Sequence, residues 1–482
     1  MRRPILLRDI LDASAAAAVK VGVSLAVLAA GFRAISDDDY ARLVIAQRFA
    51  ESPALDPSGT SWLPLPFWLY GGAFGVFGDG LGVARAVALI LGALAAALVV
   101  LAARLLGLSR RSALAAGFLS AIFPYSAYLG AAFVPEAVAS ALVVLGAGSL
   151  ARTDAVRLLG ALGLGAACAS RYEPWAAALA FGAVTAVEAV MRRDRLLAAS
   201  AFVALSFPLA WVLHGVFRHD DALFFVSRVA KYRAALGPDD PFFTRLLRTP
   251  SALFVSEPEL VFGTLALGAF AWRASKADPH FKVVLRASLC LFALFAALVL
   301  GDALGGAPTH HGERALLAVW LWCAVLAAWF GGHLVAARNF AALSAAAAVS
   351  LAAFALVRPR FPREGFAERS AEVDIGRRAR GHAKGLLAVD TPDYGYFAIQ
   401  ASFGSPDRIR VLDDHDPRKP RAPDVLTDPA ALRRLGSEGT RWLIVPITRV
   451  SATEPFATVL DRNERFALLE LKTNISDARS PD

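Results

Sequence analysis

The chain has 482 residues, of which 56% are hydrophobic and 19% charged, and its formal net charge is +9. This composition is too apolar for a water-soluble globular protein and is typical of a membrane protein with several spans. Most arginines lie between apolar runs, so membrane topology explains the basic excess better than nucleic-acid binding does. Cys168, Cys290 and Cys323 lie inside apolar runs, which argues against a disulfide framework or a zinc cluster.

The apolar runs predict a multi-span α-helical membrane protein. Arg2, Arg3 and Arg8 precede the first run, which has no small-residue cleavage site and is therefore expected to be an uncleaved signal anchor. A helix needs about 20 residues to cross a bilayer, so about 11 transmembrane helices are predicted. They lie near 13–34, 82–105, 112–130, 134–151, 156–170, 173–191, 196–215, 251–271, 283–302, 314–334 and 337–357.

Residues 62–78 are apolar and aromatic but contain two prolines and several glycines, so they are predicted to form an interfacial helix. With this count and a cytoplasmic N-terminus, every predicted inside loop is basic, as the positive-inside rule requires. Most polar groups able to do chemistry then fall on the extracytoplasmic side. The predicted outside segments are 35–81, 131–136, 171–174, 216–250, 303–313 and the chain after about 358.

The tail has more charge and no long apolar run. Short apolar segments at 385–390, 408–412, 441–445 and 466–471 predict strands, and 428–436 predicts a helix. Alternating strands and helices indicate a small α/β soluble domain with a mainly parallel sheet. The predicted organisation is a transmembrane domain at 1–357, with its first outside loop at 36–81, and an extracytoplasmic domain at 358–482.

Asp37, Asp38 and Asp39 directly follow the first predicted span, and Tyr40 comes next. Asp37 and Asp38 are the catalytic candidates, and Asp39 and Tyr40 are candidates for substrate binding. The three acids can simply be solvated residues at the N-terminus of the next helix, where the helix dipole stabilises a carboxylate by roughly a few tenths of a kcal/mol. Beside a membrane they can also do chemistry. One carboxylate can be the general base for an acceptor hydroxyl, or Asp37 and Asp38 can hold a divalent cation such as Mg or Mn. The residues alone leave these alternatives open.

A second polar group precedes the span near 314–334 and contains His310, His311, Glu313 and Arg314. The arginine either snorkels to the membrane surface or holds a phosphate with its planar fork, with a histidine able to donate a proton or hydrogen bond. The spacing matches no zinc motif.

Two further sets of charged residues are candidates for substrate binding. Arg228 and Lys231 lie in a basic, amphipathic stretch, which either rests on anionic headgroups or contacts a lipid-linked phosphate. Glu136 and the pair Arg171 and Glu173 occupy the tips of neighbouring turns, where an ion pair that shapes the pocket is expected.

Four short segments resemble the GT-C superfamily of membrane glycosyltransferases, in the branch with protein O-mannosyltransferases and the lipid A aminoarabinose transferase. They are the acidic Asp-Asp-Asp-Tyr at 37–40, Leu-Pro-Phe-Trp-Leu at 65–69, Phe-Gly at 77–78 followed by Val-Ala-Arg at 83–85, and Glu-Arg-Ala-Leu-Leu at 313–317. The family has Asp-Glu where this chain has Asp-Asp, and Tyr where it has Ala315. Which aspartate is the base therefore stays open.

The resemblance implies a polyprenyl-phosphate-linked sugar as donor and a lipid, glycan or protein acceptor, in the cell (inner) membrane. It implies that Asp37 or Asp38 deprotonates the acceptor hydroxyl, and that Arg314, with His311 and a basic group of 228–233, stabilises the leaving phosphate. No nucleotide pocket is needed, and the sequence has no P-loop and no dinucleotide fingerprint.

Two other hypotheses belong to different classes. A transporter or flippase of lipid-linked sugars would place charges in the middle of spans, and the predicted spans carry few. A membrane scaffold with an outer binding domain would leave Asp37, Asp38, Asp39 and Arg314 without a role.

Overall fold

The structure, a computed structural model, describes residues 7–237, 240–305, 311–361, 365–420 and 423–472. Within these ranges the chain forms twenty α-helices and five β-strands. The helices are α1 Leu7–Ala29, α2 Asp37–Glu51, α3 Leu65–Phe77, α4 Leu81–Leu105, α5 Arg110–Ile122, α6 Pro124–Leu129, α7 Glu136–Ser149, α8 Ala155–Cys168, α9 Glu173–Arg192, α10 Arg195–His219, α11 Phe224–Leu236, α12 Phe242–Ser256, α13 Pro258–Lys276, α14 Phe281–Ala303, α15 Leu317–Ala336, α16 Phe340–Val357, α17 Ser370–His382, α18 Tyr396–Phe403, α19 Pro429–Ser437 and α20 Val450–Thr453. The strands are β1 Leu386–Val389, β2 Ile409–Val411, β3 Thr440–Pro446, β4 Ala457–Arg462 and β5 Phe466–Leu471.

The predicted multi-span helical architecture is confirmed. In the described ranges, seven helices are long and apolar enough to cross a membrane, and eight if the bent pair α12 and α13 counts as one span. They are α1, α4, α9, α10, α14, α15 with the short 3-10 helix that precedes it, and α16.

The remaining predicted spans are shorter or broken helices. The predicted span at 112–130 is divided into α5 and α6 at Phe123, because the residue before Pro124 avoids helical geometry. α7 and α8 have 14 residues each, or about 21 Å at 1.5 Å per residue, against a hydrocarbon core of about 30 Å. The predicted span at 251–271 bends by 87° between α12 and α13.

The contacts divide the chain into two compact units. The first comprises 1–32, 59–65 and 88–365, and the second comprises 33–58, 66–87 and 366–482. The acidic segment at 37–40 and α3 from residue 66 onward are thus in the same unit as the C-terminal residues, whereas both were predicted to belong to the first outside loop of the transmembrane domain. The interfacial position of α3 stays a prediction. The predicted boundary at 357/358 stays a prediction.

The first unit is a helical bundle. α7 packs against α8 and α15, α9 packs against α10 and α14, and α13 packs against α15 and α16. Small residues allow some backbones to approach closely. A Cβ added at Gly92 would lie 2.5 Å from the carbonyl oxygen of Gly130, so only glycine fits there.

The second unit contains one five-stranded sheet in the order β2-β1-β3-β5-β4. β2, β1 and β3 are parallel, and β5 is antiparallel to both β3 and β4. The small α/β domain is confirmed, but the sheet is mixed because a three-residue turn joins β4 to β5 and forces them antiparallel. The sequence analysis missed β4, whose mostly exposed residues give it a weak apolar pattern.

Candidate functional site

The three acids predicted after the first span form the first turn of α2, in the second unit. Asp39 is fully buried, and its Oδ2 accepts hydrogen bonds from the N–H groups of Ile35 and Ser36 at 3.2 and 3.3 Å. Together with Ser36 it forms a capping box that begins the helix. Asp39 therefore has a local structural role that accounts for its burial.

Asp37 is held by an arginine from the far end of the sequence. Nε and Nη2 of Arg369 donate to Oδ1 and Oδ2 of Asp37 at 2.8 and 2.9 Å, so both carboxylate oxygens are used. Burial acts to lower the pKa of Arg369, but its hydrogen bonds and charge contacts with Asp37 and Asp393 raise it overall. Asp38, between Asp37 and Asp39, is half-buried.

Tyr40 follows the acids and is buried within the second unit. Burial, and then the nearby charge of Asp39, raise the pKa of its phenol well above the usual range. Tyr40 therefore stays protonated at neutral pH.

The divalent cation predicted at Asp37 and Asp38 stays a prediction. A hard cation needs carboxylate oxygens that are free to coordinate it. Both oxygens of Asp37 accept bonds from Arg369, so in this arrangement the pair does not fit a cation unless the guanidinium moves away.

The first unit contains a separate cluster of charged side chains from three helix starts. Glu136 and Glu173 are the first residues of α7 and α9, where a helix N-terminus favours a carboxylate. Arg171 lies in the turn before α9, and Arg314 lies in the 3-10 helix Gly312–Leu316 before α15. The structure thus brings together four residues that the sequence analysis placed at three separate positions, with Arg171 and Glu173 in one turn.

Glu136 is the centre of this cluster. Its Oε1 forms an ion pair with Nη1 of Arg171 and lies 3.2 Å from Nε of Arg314. Arg171 also donates from Nε to Glu173 at 3.0 Å. Burial acts to lower the pKa of Arg171, but the charges of Glu136 and Glu173 raise it overall. The predicted arginine–glutamate pairing at these turns is present, with Arg314 as an additional partner.

Glu313 and His311 extend the cluster in a second direction. Nδ1 of His311 lies 3.3 Å from Oε1 of Glu313, and that oxygen also accepts a hydrogen bond from the Tyr125 hydroxyl. The Tyr125 ring stacks on Trp320, with 5.2 Å between centroids. The Tyr125 N–H donates to buried Glu257 at 2.7 Å. Glu313 is therefore fixed by two side chains of the bundle.

A small cavity lies against this cluster and has room for roughly one water molecule. Oε2 of Glu136 is buried and has no hydrogen-bond partner among the described residues. An unsatisfied buried carboxylate oxygen is costly and calls for an explanation, such as a catalytic role or a bound water or ion. The charged residues lining the cavity are Glu136, Arg171, Glu173 and Arg314.

The other predicted substrate-binding residues lie apart from this cavity or outside the described ranges. Arg228 and Lys231 are on α11 as predicted, and Arg228 Nη1 donates to the carbonyl oxygen of Gly59 at 3.3 Å. Neither lines the cavity. His310 lies outside the described residues.

The sequence analysis missed Arg369, Tyr125 and Glu257. Arg369 is 332 positions from Asp37, and nothing in its local sequence distinguishes it from the other tail arginines. Tyr125 follows a proline inside an apolar run, which could have indicated a broken helix with polar groups at the break.

Solved structures share this architecture. ArnT from Cupriavidus metallidurans bound to undecaprenyl phosphate superposes with a TM-score of 0.61 and 14% sequence identity, over 98% of this chain and 99% of that one. The chain has the GT-C fold. The oligosaccharyltransferase of Archaeoglobus fulgidus in complex with Zn and sulfate is similar, with a TM-score of 0.51 and 15% identity over 90% of this chain and 68% of that one.

The GT-C resemblance suggested by four short sequence segments is thus confirmed at the level of the fold. No protein-family model matches the sequence, and no curated protein sequence matches it. At these identities the likeness establishes the GT-C fold, and the chemistry has to be argued from the residues.

Proposed function

We propose that this chain is an integral membrane glycosyltransferase that moves a sugar from a polyprenyl-phosphate donor to an acceptor hydroxyl at the outer face of the cell's inner membrane. The observation that carries the proposal is its GT-C fold, shared along nearly the whole chain with an ArnT bound to undecaprenyl phosphate. The acceptor is a lipid, glycan or protein.

The proposed reaction is a single displacement at the anomeric carbon. The acceptor oxygen attacks that carbon and loses its proton to a carboxylate, while the bond to the lipid phosphate breaks and the phosphate keeps the electron pair. We assign the proton acceptor to Asp38. Both oxygens of Asp37 accept bonds from Arg369, and Asp39 caps α2.

We assign Arg314 to the phosphate. A guanidinium at the start of a membrane helix suits a lipid-linked phosphate, because its planar fork can donate two parallel hydrogen bonds. Preorganised charge of this kind is usually a large part of catalysis. Arg314 now pairs with Glu136 beside a cavity with little free space, so we propose that the phosphate replaces Glu136 as its partner. His311 and the basic α11, with Arg228 and Lys231, are the secondary candidates for this contact.

The buried Lys20 bears on the rival transporter hypothesis, which expects charges within spans. Its ammonium, in α1, donates to the Ser126 hydroxyl at 2.7 Å and to the Ser126 carbonyl oxygen. Ser126 is on the short helix α6, just after the break at Phe123, and its hydroxyl donates to the carbonyl oxygen of Ser120, which has no helical donor because residue 124 is a proline. Lys20 is thus hydrogen-bonded to the bundle beside this break, and one buried charge held in this way does not favour transport.

The test is a reconstituted assay with a polyprenyl-phosphate sugar that measures release of polyprenyl phosphate. We expect turnover by the wild type and its loss in Asp38→Asn and Arg314→Ala. Asp240→Asn and Arg218→Ala, which change exposed residues of the same chain, are the matched controls and should keep turnover. Full turnover in both site variants, or labelling that places residues 38 and 314 on opposite sides of the bilayer, would remove the proposal.

A further inference from the structure

Arg369 contacts three carboxylates within the second unit. Its fork pairs with Asp37, and its Nη1 lies 3.0 Å from Oδ2 of Asp393 and 3.1 Å from Oε1 of Glu372. Its side chain is 11% exposed, against 43% for Arg378 on the following helix α17. Arg369 is therefore a desolvated cation with a fixed orientation, whereas Arg378 is an ordinary surface cation.

The backbone next to Arg369 also pairs with the segment that leads into α2. Ala34 and Ala367 form an antiparallel bridge, and the N–H of Ala367 donates to the carbonyl oxygen of Ile35 at 3.3 Å. Residues 367–369 thus run along residues 34–37, with main-chain bonds at one end and the Arg369 fork at the other. A contact made at two points fixes the direction in which the first turn of α2 presents its acids.

The partners of Arg369 show what its charge balances. Glu372 is fully buried. Its Oε1, which contacts Arg369, also lies 3.3 Å from Nη1 of Arg465. Its Oε2 has no hydrogen-bond partner in the described ranges. Without the guanidinium, Asp37, Asp393 and Glu372 would face one another with too few cations between them. Like charges at such distances repel, and the first turn of α2 would shift.

We infer that Arg369 is a positioning residue for the proposed glycosyl transfer. It fixes the carboxylate of Asp38 by holding Asp37 and the segment of chain that precedes Asp37. The inference rests on the proposed function. It also assigns part of the catalytic geometry to the C-terminal part of the chain, to which the sequence analysis gave no role.

Kinetics separate this role from a purely structural one. A carboxylate displaced by about 1 Å can reduce the rate of the chemical step on the order of 100-fold. We therefore expect Arg369→Gln to lower kcat by roughly that factor while the KM for the donor changes less than about twofold. Arg369→Lys keeps the charge without the fork and should recover part of the loss. Arg378→Gln, on α17 in the same unit, is the matched control and should keep the wild-type kcat.

A second measurement needs no substrate. We expect Asp37→Asn and Arg369→Gln each to lower the thermal unfolding temperature, and the double variant to unfold no lower than the less stable single variant, because the two residues share one interaction. Additive losses would overturn the inference, as would a change in KM alone or an unchanged kcat in Arg369→Gln. If the wild type shows no turnover but the losses in unfolding temperature of the two single variants are not additive, the proposed function is refuted and the Arg369–Asp37 contact is still supported.

Discussion

Nε of Arg314 lies 3.2 Å from Oε1 of Glu136, although the two residues are 178 positions apart in the sequence and both are buried. The same oxygen also receives Nη1 of Arg171. Glu136, together with Glu173 on Arg171, thus balances the charge of two guanidinium groups that the membrane environment would otherwise make costly. The ion pairs leave little free space beside Arg314, so the phosphate contact that we propose for Arg314 requires Glu136 to move away from it.

The first prediction follows from this sharing. Glu136→Ala leaves two buried guanidinium groups without their common partner, and removing one member of a buried pair costs about 3–5 kcal/mol. We expect a corresponding loss in the free energy of unfolding, measured by thermal denaturation in detergent. Asp240→Ala breaks the exposed pair with Arg248 and should cost less than about 1 kcal/mol. Equal losses in the two variants would mean that the Glu136 cluster is not desolvated.

The second prediction concerns Arg157 on α8, which is almost completely buried. Its Nη2 donates to the carbonyl oxygen of Leu150 at 2.7 Å and to Glu188 at 3.0 Å, and its Nη1 donates to Thr185 at 3.1 Å. It thereby satisfies the end of α7 and joins it to α9.

We expect Arg157→Gln to destabilise the protein by about 3–5 kcal/mol, because Glu188 loses a buried partner and the Leu150 carbonyl loses a donor. Arg192→Gln, at the exposed end of α9, is the control and should be close to neutral. Unfolding in detergent measures both. A neutral Arg157→Gln variant would show that water replaces the guanidinium at no cost.

The third prediction separates the roles of the three acids of α2. Asp39→Ala removes the side chain that accepts from Ile35 and Ser36, and loss of an N-cap interaction costs roughly 0.5–2 kcal/mol. Asp39→Asn keeps an acceptor oxygen and should cost less. We expect both variants to retain turnover in proportion to their folded fraction. Abolished turnover in a fully folded Asp39→Asn variant would place Asp39 in the chemistry.

The fourth prediction follows from the 87° bend between α12 and α13, since two helices at this angle cannot both run along the bilayer normal. α12 also exposes apolar side chains, with Phe243 73% and Leu247 57% exposed, while Thr249 is buried on its other side. An outward apolar face suits an interfacial helix.

Spin labels at 243, 247 and 251 should therefore report the same depth in a bilayer. If α12 were part of a straight span, the depth would change by about 6 Å for every four residues. A label at Phe292, exposed on the span α14, gives the reference for the bilayer interior. A steady change in depth along α12 would contradict the interfacial arrangement.

The fifth prediction concerns divalent cations. Because both Asp37 oxygens are occupied by Arg369, we expect turnover to survive treatment with a chelator followed by assay without added metal. Loss of turnover, with recovery on adding Mg or Mn, would support a cation at Asp37 and Asp38 and would require Arg369 to move away.

Much of the fold was predictable because burial in a membrane leaves a strong local signal. Long apolar runs located α4, α9, α10 and α14, and short apolar segments located β1, β2, β3 and β5. Elements with a weaker apolar signal were not predicted. The break at Phe123 depends on one proline inside an apolar run, and β4 has too few buried residues to stand out.

The candidate site was predictable in part for the same reason. Glu136, Arg171, Glu173 and Arg314 each stand out as charges at the edge of an apolar run, which is visible locally. The pairing of Glu136 with both Arg171 and Arg314 is not visible, because it depends on how α7, α9 and α15 pack. The sequence gives no sign that Asp37 is paired with Arg369.

By itself, the sequence determined that the chain is a multi-span helical membrane protein with a small α/β part, since hydrophobicity and periodicity are properties of neighbouring residues. Only the tertiary structure decided which charges neutralise one another. It separated Asp37, held by Arg369, from Asp39, which caps α2, although the two are chemically identical and only one residue lies between them. The physical reason is that a carboxylate's role depends on the donors around it: Asp39 accepts from the neighbouring Ile35 and Ser36, whereas the donor to Asp37 comes from a distant part of the chain.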